Sequence, residues 1–125
     1  EGHHELTHHQ NNADRIAKVA RIDRWYVQKF ANFLARLNAV QDVDGNSLLH
    51  NSMILFGSGN ADGNRHSHDN LPILLAGHGG GALTPGRFLQ HGSQPATNLF
   101  LSMADKMGVQ NLTRLGDSTG RLVGV

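Results

Sequence analysis

From Asn12 to Val40 the chain carries one unbroken helical period, and no other segment constrains the fold as strongly. Ile16, Val19, Asp23, Tyr26, Phe30, Phe33 or Leu34, and Leu37 recur at steps of three and four. Arg15, Lys18, Arg21, Arg24, Lys29 and Arg36 hold much of the other face, the division expected of a helix with one apolar side. Asn11 or Asn12 is suited to cap its start, and Asp14 in the first turn suits the helix dipole. Gln41-Asp-Val-Asp-Gly-Asn46 ends it with turn-forming residues. Trp25 and Tyr26, inside this period, read as core residues rather than as a platform for a ligand.

Two short apolar runs follow, Met53-Ile-Leu-Phe56 and Leu71-Pro-Ile-Leu-Leu-Ala76, each closed by a glycine-rich turn. Runs of this length bounded by glycine suit strands buried on both faces, as in a mostly parallel sheet. Arg87-Phe-Leu-Gln90 reads as an edge strand. Thr97 suits the N-cap of a last helix over Asn98–Met107, stopped by Gly108. The expected fold is therefore α/β, a small, mainly parallel sheet flanked by helices, in one domain spanning residues 1–125.

Composition removes several classes of function. The 125 residues carry a net charge of +1 with Lys and Arg dispersed, so the basic stripe that nucleic-acid binding needs is missing. No apolar run approaches the roughly 18–20 residues of a membrane span. The absence of cysteine excludes disulfides, thiolate metal sites and cysteine nucleophiles. The chain opens without methionine or a signal peptide and reads as the C-terminal piece of something longer.

The nine histidines are grouped. Four stand in Glu1-Gly-His-His-Glu-Leu-Thr-His-His9 and two in Asn64-Arg-His-Ser-His-Asp69. Imidazole and carboxylate are the donor set of zinc and its neighbours, and one cluster precedes the long helix while the other follows a strand. The competing reading is a polar segment whose histidines cap the helix or bond backbone groups. His4 and His8 suit further ligands or partners that orient a ligating ring through its other nitrogen, with His3 outside such a site; Glu1–His4 equally suits a loose terminus. His68 and Asp69 suit a metal or acid–base role, and suit an Asx turn before the Pro72 strand just as well. Asp62 and Asn64 read as turn residues. Gly77-His-Gly-Gly-Gly81 lacks the Lys-Ser/Thr of a phosphate-binding loop and reads as a turn with His78 exposed.

The order of these features resembles the C-terminal half of the alkaline phosphatase superfamily: Glu5-x-x-x-His9, a long helix, Asn51-Ser-Met-Ile-Leu-Phe56, a polar glycine turn, and His66-Ser67 ahead of Leu71-Pro72-Ile73. Glu5 and His9 correspond to that superfamily's acid-x-x-x-His pair, and His66-Ser67 to its late His-Thr. Nearly end to end, the chain also resembles the generally exported bacterial family "domain of unknown function fifteen fifty-two". That likeness rests on His3-His4-Glu5-Leu6-Thr7-His8-His9, Asp62-Gly-Asn-Arg-His66, His68-Asp69-Asn70-Leu71-Pro72 and Gly116-Asp-Ser-Thr-Gly-Arg-Leu122.

The resemblance implies a metal site made by Glu5, His9 and His66, with zinc first in line and manganese, iron or nickel also compatible with such donors. It implies the C-terminal portion of an alkaline-phosphatase-like domain in an exported, metal-dependent hydrolase-like protein of the phosphate or sulfate ester class. The expected partner is the missing N-terminal half or another copy of the chain. Two departures stand against full activity. Gly59-Asn60 occupy the place of the superfamily's second-metal Asp-His pair, and its nucleophile belongs to the N-terminal half, so this portion alone is expected to be inactive. The rival reading is a non-catalytic structural or binding domain that keeps the fold without the second metal pair.

Overall fold

Asn12 opens the long helix: its side-chain Oδ1 accepts the Arg15 backbone N–H at 3.1 Å, satisfying one of the amide groups that a helix start leaves without a partner. The computed structural model describes Glu1–Val125. In chain order it holds helices α1 (His3–Thr7), α2 (Ala13–Asn38) and α3 (Leu48–Asn51), strands β1 (Ile54–Gly57) and β2 (Ile73–Ala76), a 3-10 turn at Gly79–Gly81, and helix α4 (Thr97–Lys106). These elements divide into two compact units, one of Glu1–Leu37 with Leu55–Leu74 and one of Asn38–Ile54 with Leu75–Val125. No helix is long and apolar enough to cross a membrane.

The chain is a small mixture of helix and strand, but the sheet differs from the expected parallel one. It has two strands, β1 beside β2, and they run antiparallel. Gly57, ending β1, lies against Pro72 and Ile73 at the start of β2, while Gly77, just past β2, lies against Ser52 just before β1. Parallel pairing needs a long crossover, usually a helix. The link between these strands holds only a turn closed by an Asp62–Ser67 bridge. Nor are the strands buried on both faces: every residue of β1 and β2 is half-buried or exposed. Arg87–Gln90 forms no strand and is exposed throughout; the Arg87 side chain instead donates to the carbonyls of Thr84 and Gly124.

In the first unit Leu6 of α1 is the buried apolar residue. Phe30 of α2 stacks on Phe56 of β1 with ring centroids 4.7 Å apart. Helix α2, despite its amphipathic period, has no buried residue. Trp25 and Tyr26, expected in the core, are 51% and 45% exposed; Trp25 packs edge-on against Tyr26 and under the Lys29 ammonium. Periodicity gives the side of the helix but not whether anything covers it.

The second unit is built on α4. Leu99 and Leu101 are buried with Leu83, and Asn98, Ser102 and Ser118 are buried among them. Those polar groups are satisfied by the C-terminal tail. Asn98 Oδ1 accepts the Thr119 N–H at 2.9 Å, and its Nδ2 donates to Thr119 Oγ1 and to Gln94 Oε1. Ser102 Oγ accepts the Leu122 N–H and donates to the Leu122 carbonyl. A tail that reads as featureless is thus fastened to the helix by buried side chains. The helix cap is Ala96 rather than Thr97, because the Thr97 hydroxyl donates to Asp117 at 2.6 Å instead.

Candidate metal centre

His3 and His4 lie on the short helix α1, and His8 and His9 follow it. Thr7 Oγ1 donates to the His4 carbonyl at 2.7 Å, Leu6 is anchored by burial, and the Arg15 guanidinium reaches the His8 carbonyl. Lys18 pairs with the Glu1 carboxylate and holds it below the usual carboxylate range. His3 faces Tyr26 of α2, its ring 6.0 Å away.

The second cluster sits on the turn between the strands. Asp62 Oδ1 accepts the Asn64 N–H at 2.8 Å, an Asx turn, while Ser67 donates its N–H to the Asp62 carbonyl and accepts the Ala61 N–H. His66 takes a left-handed backbone with φ 54°, a region that side chains other than glycine visit sparingly, histidine more than most.

Three contacts join this turn to the α1 segment. Asn64 Oδ1 accepts the Gln10 N–H at 2.9 Å across 54 residues of sequence. Gly63 packs so closely on Thr7 that a Cβ there would stand 2.8 Å from the Thr7 Cβ. The His8 and His66 rings meet edge to face, centroids 4.9 Å apart. His4 meets His8 in the same way at 4.8 Å. The rings therefore form a row, His4–His8–His66, on one side of the first unit.

Glu5 is exposed on α1 within this segment. His9 follows, half-buried, and its Nδ1 accepts the Asn11 N–H at 3.0 Å. That bond places the ring proton on Nε2 and leaves His9 no free lone pair as it stands. Glu5, His9 and His66 do not form a gathered ligand set, since no three His, Asp or Glu side chains stand together in metal-holding geometry. His68 is arranged the opposite way from His9. Its Nδ1 lies 2.6 Å from the Gly59 carbonyl, which can only accept, so Nε2 keeps its lone pair, as in metal-ligating histidines oriented by a carbonyl. Asp69 is exposed, its N–H donated to Ser67 Oγ.

Beside His68, Asn60 Oδ1 is buried without a hydrogen-bond partner. Elsewhere in the first unit an open depression of about 510 Å³ is lined by Leu6, Lys18, Arg21, Ile22, Trp25 and Tyr26. It lacks histidine and carboxylate, so it is a gap beside an uncovered helix rather than a place for metal chemistry. His50 and His78 stack at 5.1 Å in the second unit, a pair that sequence reading missed because the two lie in different segments. Comparison with protein-family models, with curated proteins and with solved structures gives no match to this chain.

Proposed function

We propose that this chain is the C-terminal part of an exported, metal-dependent hydrolase-like protein of the phosphate or sulfate ester class, to which it contributes one divalent-metal site. The observation that carries the reading is the union of the two histidine clusters through His8–His66, Gln10–Asn64 and Thr7–Gly63. The three rings of the His4–His8–His66 row are exposed or half-buried and lie edge to face, so their nitrogens are open to an ion from solvent. The donor chemistry fits zinc first, then manganese, iron or nickel. Bound there, such an ion would supply Lewis acidity to an ester oxygen. The histidines of the two clusters would hold the ion, and the nucleophile would come from the rest of the protein.

The two-stranded sheet agrees with this reading. A lone pair of strands is marginal in water, and antiparallel edge strands are common on otherwise parallel sheets, so a larger sheet completed by the N-terminal half or by another copy accommodates β1 and β2. One observation favours the non-catalytic alternative: Gly59 gives its carbonyl to His68 and Asn60 offers only a neutral amide, which leaves no acidic pair for a second ion.

The test is metal content together with turnover, on protein prepared without an added histidine tag. The expected outcome is one zinc per chain after dialysis, with no hydrolysis of p-nitrophenyl phosphate or sulfate by this portion alone, loaded with zinc or manganese. Loss of a second-metal clamp and of the nucleophile removes several kcal/mol of barrier lowering, roughly, and so at least three powers of ten in rate. Turnover that disappears on removing His8 and His66 would make this portion a complete catalyst and overturn the proposal. Absence of bound metal would remove its basis.

A further inference from the structure

We infer that the exposed flank of α2 rests on an anionic lipid surface, a role independent of the metal-site reading above. Spaced out along the sequence, the cations nevertheless gather on one helix. Six of the eleven lysines and arginines lie on α2, against two of the ten acidic residues, so the helix carries +4 in a chain of net +1. Lys18 pairs with Glu1, but Arg21, Arg24, Lys29 and Arg36 meet no carboxylate. Lys18, Ile22, Trp25, Lys29, Phe33 and Arg36 follow one another at steps of three and four, and so share one face about 27 Å long. Trp25 and Phe33 stand about half exposed on it, and the Lys29 ammonium lies 5.1 Å over the Trp25 ring.

Aromatic rings set between cations suit the boundary of a bilayer. Trp and Tyr settle at headgroup level, and lysine and arginine stems lie along the apolar layer while their charges reach the phosphates. The depression lined by Lys18, Arg21 and Trp25 gives a headgroup phosphate room beside the two cations. The contact is peripheral, with α2 lying in the plane of the interface, because no helix is long and apolar enough to cross. A protein partner fits this face less well, since protein interfaces are depleted in lysine. A second copy reaches it only against the repulsion of two helices of like charge, whereas an anionic surface meets that charge with its opposite. Lipid therefore displaces a second copy from this flank.

Trp25 is the only tryptophan in the chain, so its emission reports on this face alone. The probe is vesicles of phosphatidylglycerol mixed with phosphatidylcholine, beside vesicles of phosphatidylcholine alone and soluble polyglutamate. Protein is kept submicromolar, where copies stay apart. The expected result is a blue-shifted Trp25 emission and co-sedimentation with the phosphatidylglycerol vesicles only. Both should be lost in about 1 M salt, where the screening length is about 3 Å. Each cation near an anionic surface contributes about fivefold in affinity, so Lys29→Gln combined with Arg36→Gln should weaken binding about 25-fold. Circular dichroism checks that this variant keeps its helix content. Equal binding to phosphatidylcholine, an unshifted emission, or full affinity in the double variant would overturn the inference. Polyglutamate bound as tightly as the vesicles would assign the face to an acidic protein and overturn it too.

Discussion

Gly77 shows how little room single residues have in the second unit. Its φ is +91°, and a Cβ built there would stand 2.1 Å from the Ser52 carbonyl oxygen and 2.9 Å from that of Leu49. Neither neighbour is a flexible side-chain end, so Gly77→Ala is expected to destabilise by about 3 kcal/mol or more. Urea denaturation measures this, and a loss below about 1 kcal/mol would mean that the backbone relaxes freely. At the same scale, Arg121 donates twice to the Asp105 carboxylate, at 2.7 and 2.9 Å. These bonds hold the Asp105 pKa below the usual aspartate range. A depressed folded-state value means that the contribution is present above the unfolded pKa of about 4 and is lost as pH falls through the lower folded value. The pair is exposed, so the effect is small. Titrating stability from pH 6 to 2 should give a shallower acid loss for Arg121→Gln than for the unaltered chain; identical slopes would remove the pair from the account.

Among the elements, α4 and the tail form the best-defined assembly. Asn98 is 2% exposed, and both its side-chain polar atoms are used: Oδ1 by the Thr119 N–H, and Nδ2 by Thr119 Oγ1 and Gln94 Oε1. Asn98→Leu keeps the bulk and leaves the Thr119 N–H without its acceptor, for an expected cost of about 2–3 kcal/mol. Hydrogen exchange should show the Thr119 and Leu122 amides losing protection first, and unchanged protection there would dismiss the fastening role. Helix α2 is held at its start by the Asn12 cap. Asn12→Ala should cost about 1 kcal/mol and fray the first turn, visible as lower helix content at 222 nm. The two helix starts also separate what local sequence can reveal. Asn12 caps α2 as expected, through a bond to an amide three residues on. Thr97, an equally good cap by type, is drawn away by Asp117, which is close to it only through the fold.

For the whole molecule, the telling fact is apolar surface on α2. Ile16 is 42% exposed, Val27 46% and Phe33 48%, along with Trp25 and Tyr26, and the helix has no buried residue. Tyr26 and Phe33, seven residues apart, share one helix face, and exposed apolar groups that share a face mark association surfaces. The isolated chain is therefore expected to pair with another copy at micromolar concentration. Trp25→Glu combined with Phe33→Glu should shift sedimentation velocity toward the monomer. A monodisperse monomer for the unaltered chain would show that α2 tolerates solvent and needs no partner.

The long helix, its cap, the existence of both strands and of α4, and the two histidine clusters were legible in the residues alone. Period, capping chemistry and glycine punctuation act over a few neighbouring positions, and no distant contact was needed to read them. The tertiary structure decided the rest. It set the strands antiparallel across a link that carries no crossover helix, and it left Trp25 and Tyr26 half exposed, because burial depends on what lies opposite a face. It tied a featureless tail to Asn98 and Ser102 through hydrogen bonds across 20 and 21 residues. It also placed His8, rather than His9, against His66. Neighbouring residues on a helix point about 100° apart, so which of two adjacent histidines faces a distant turn is a matter of rotation and docking that sequence spacing does not contain.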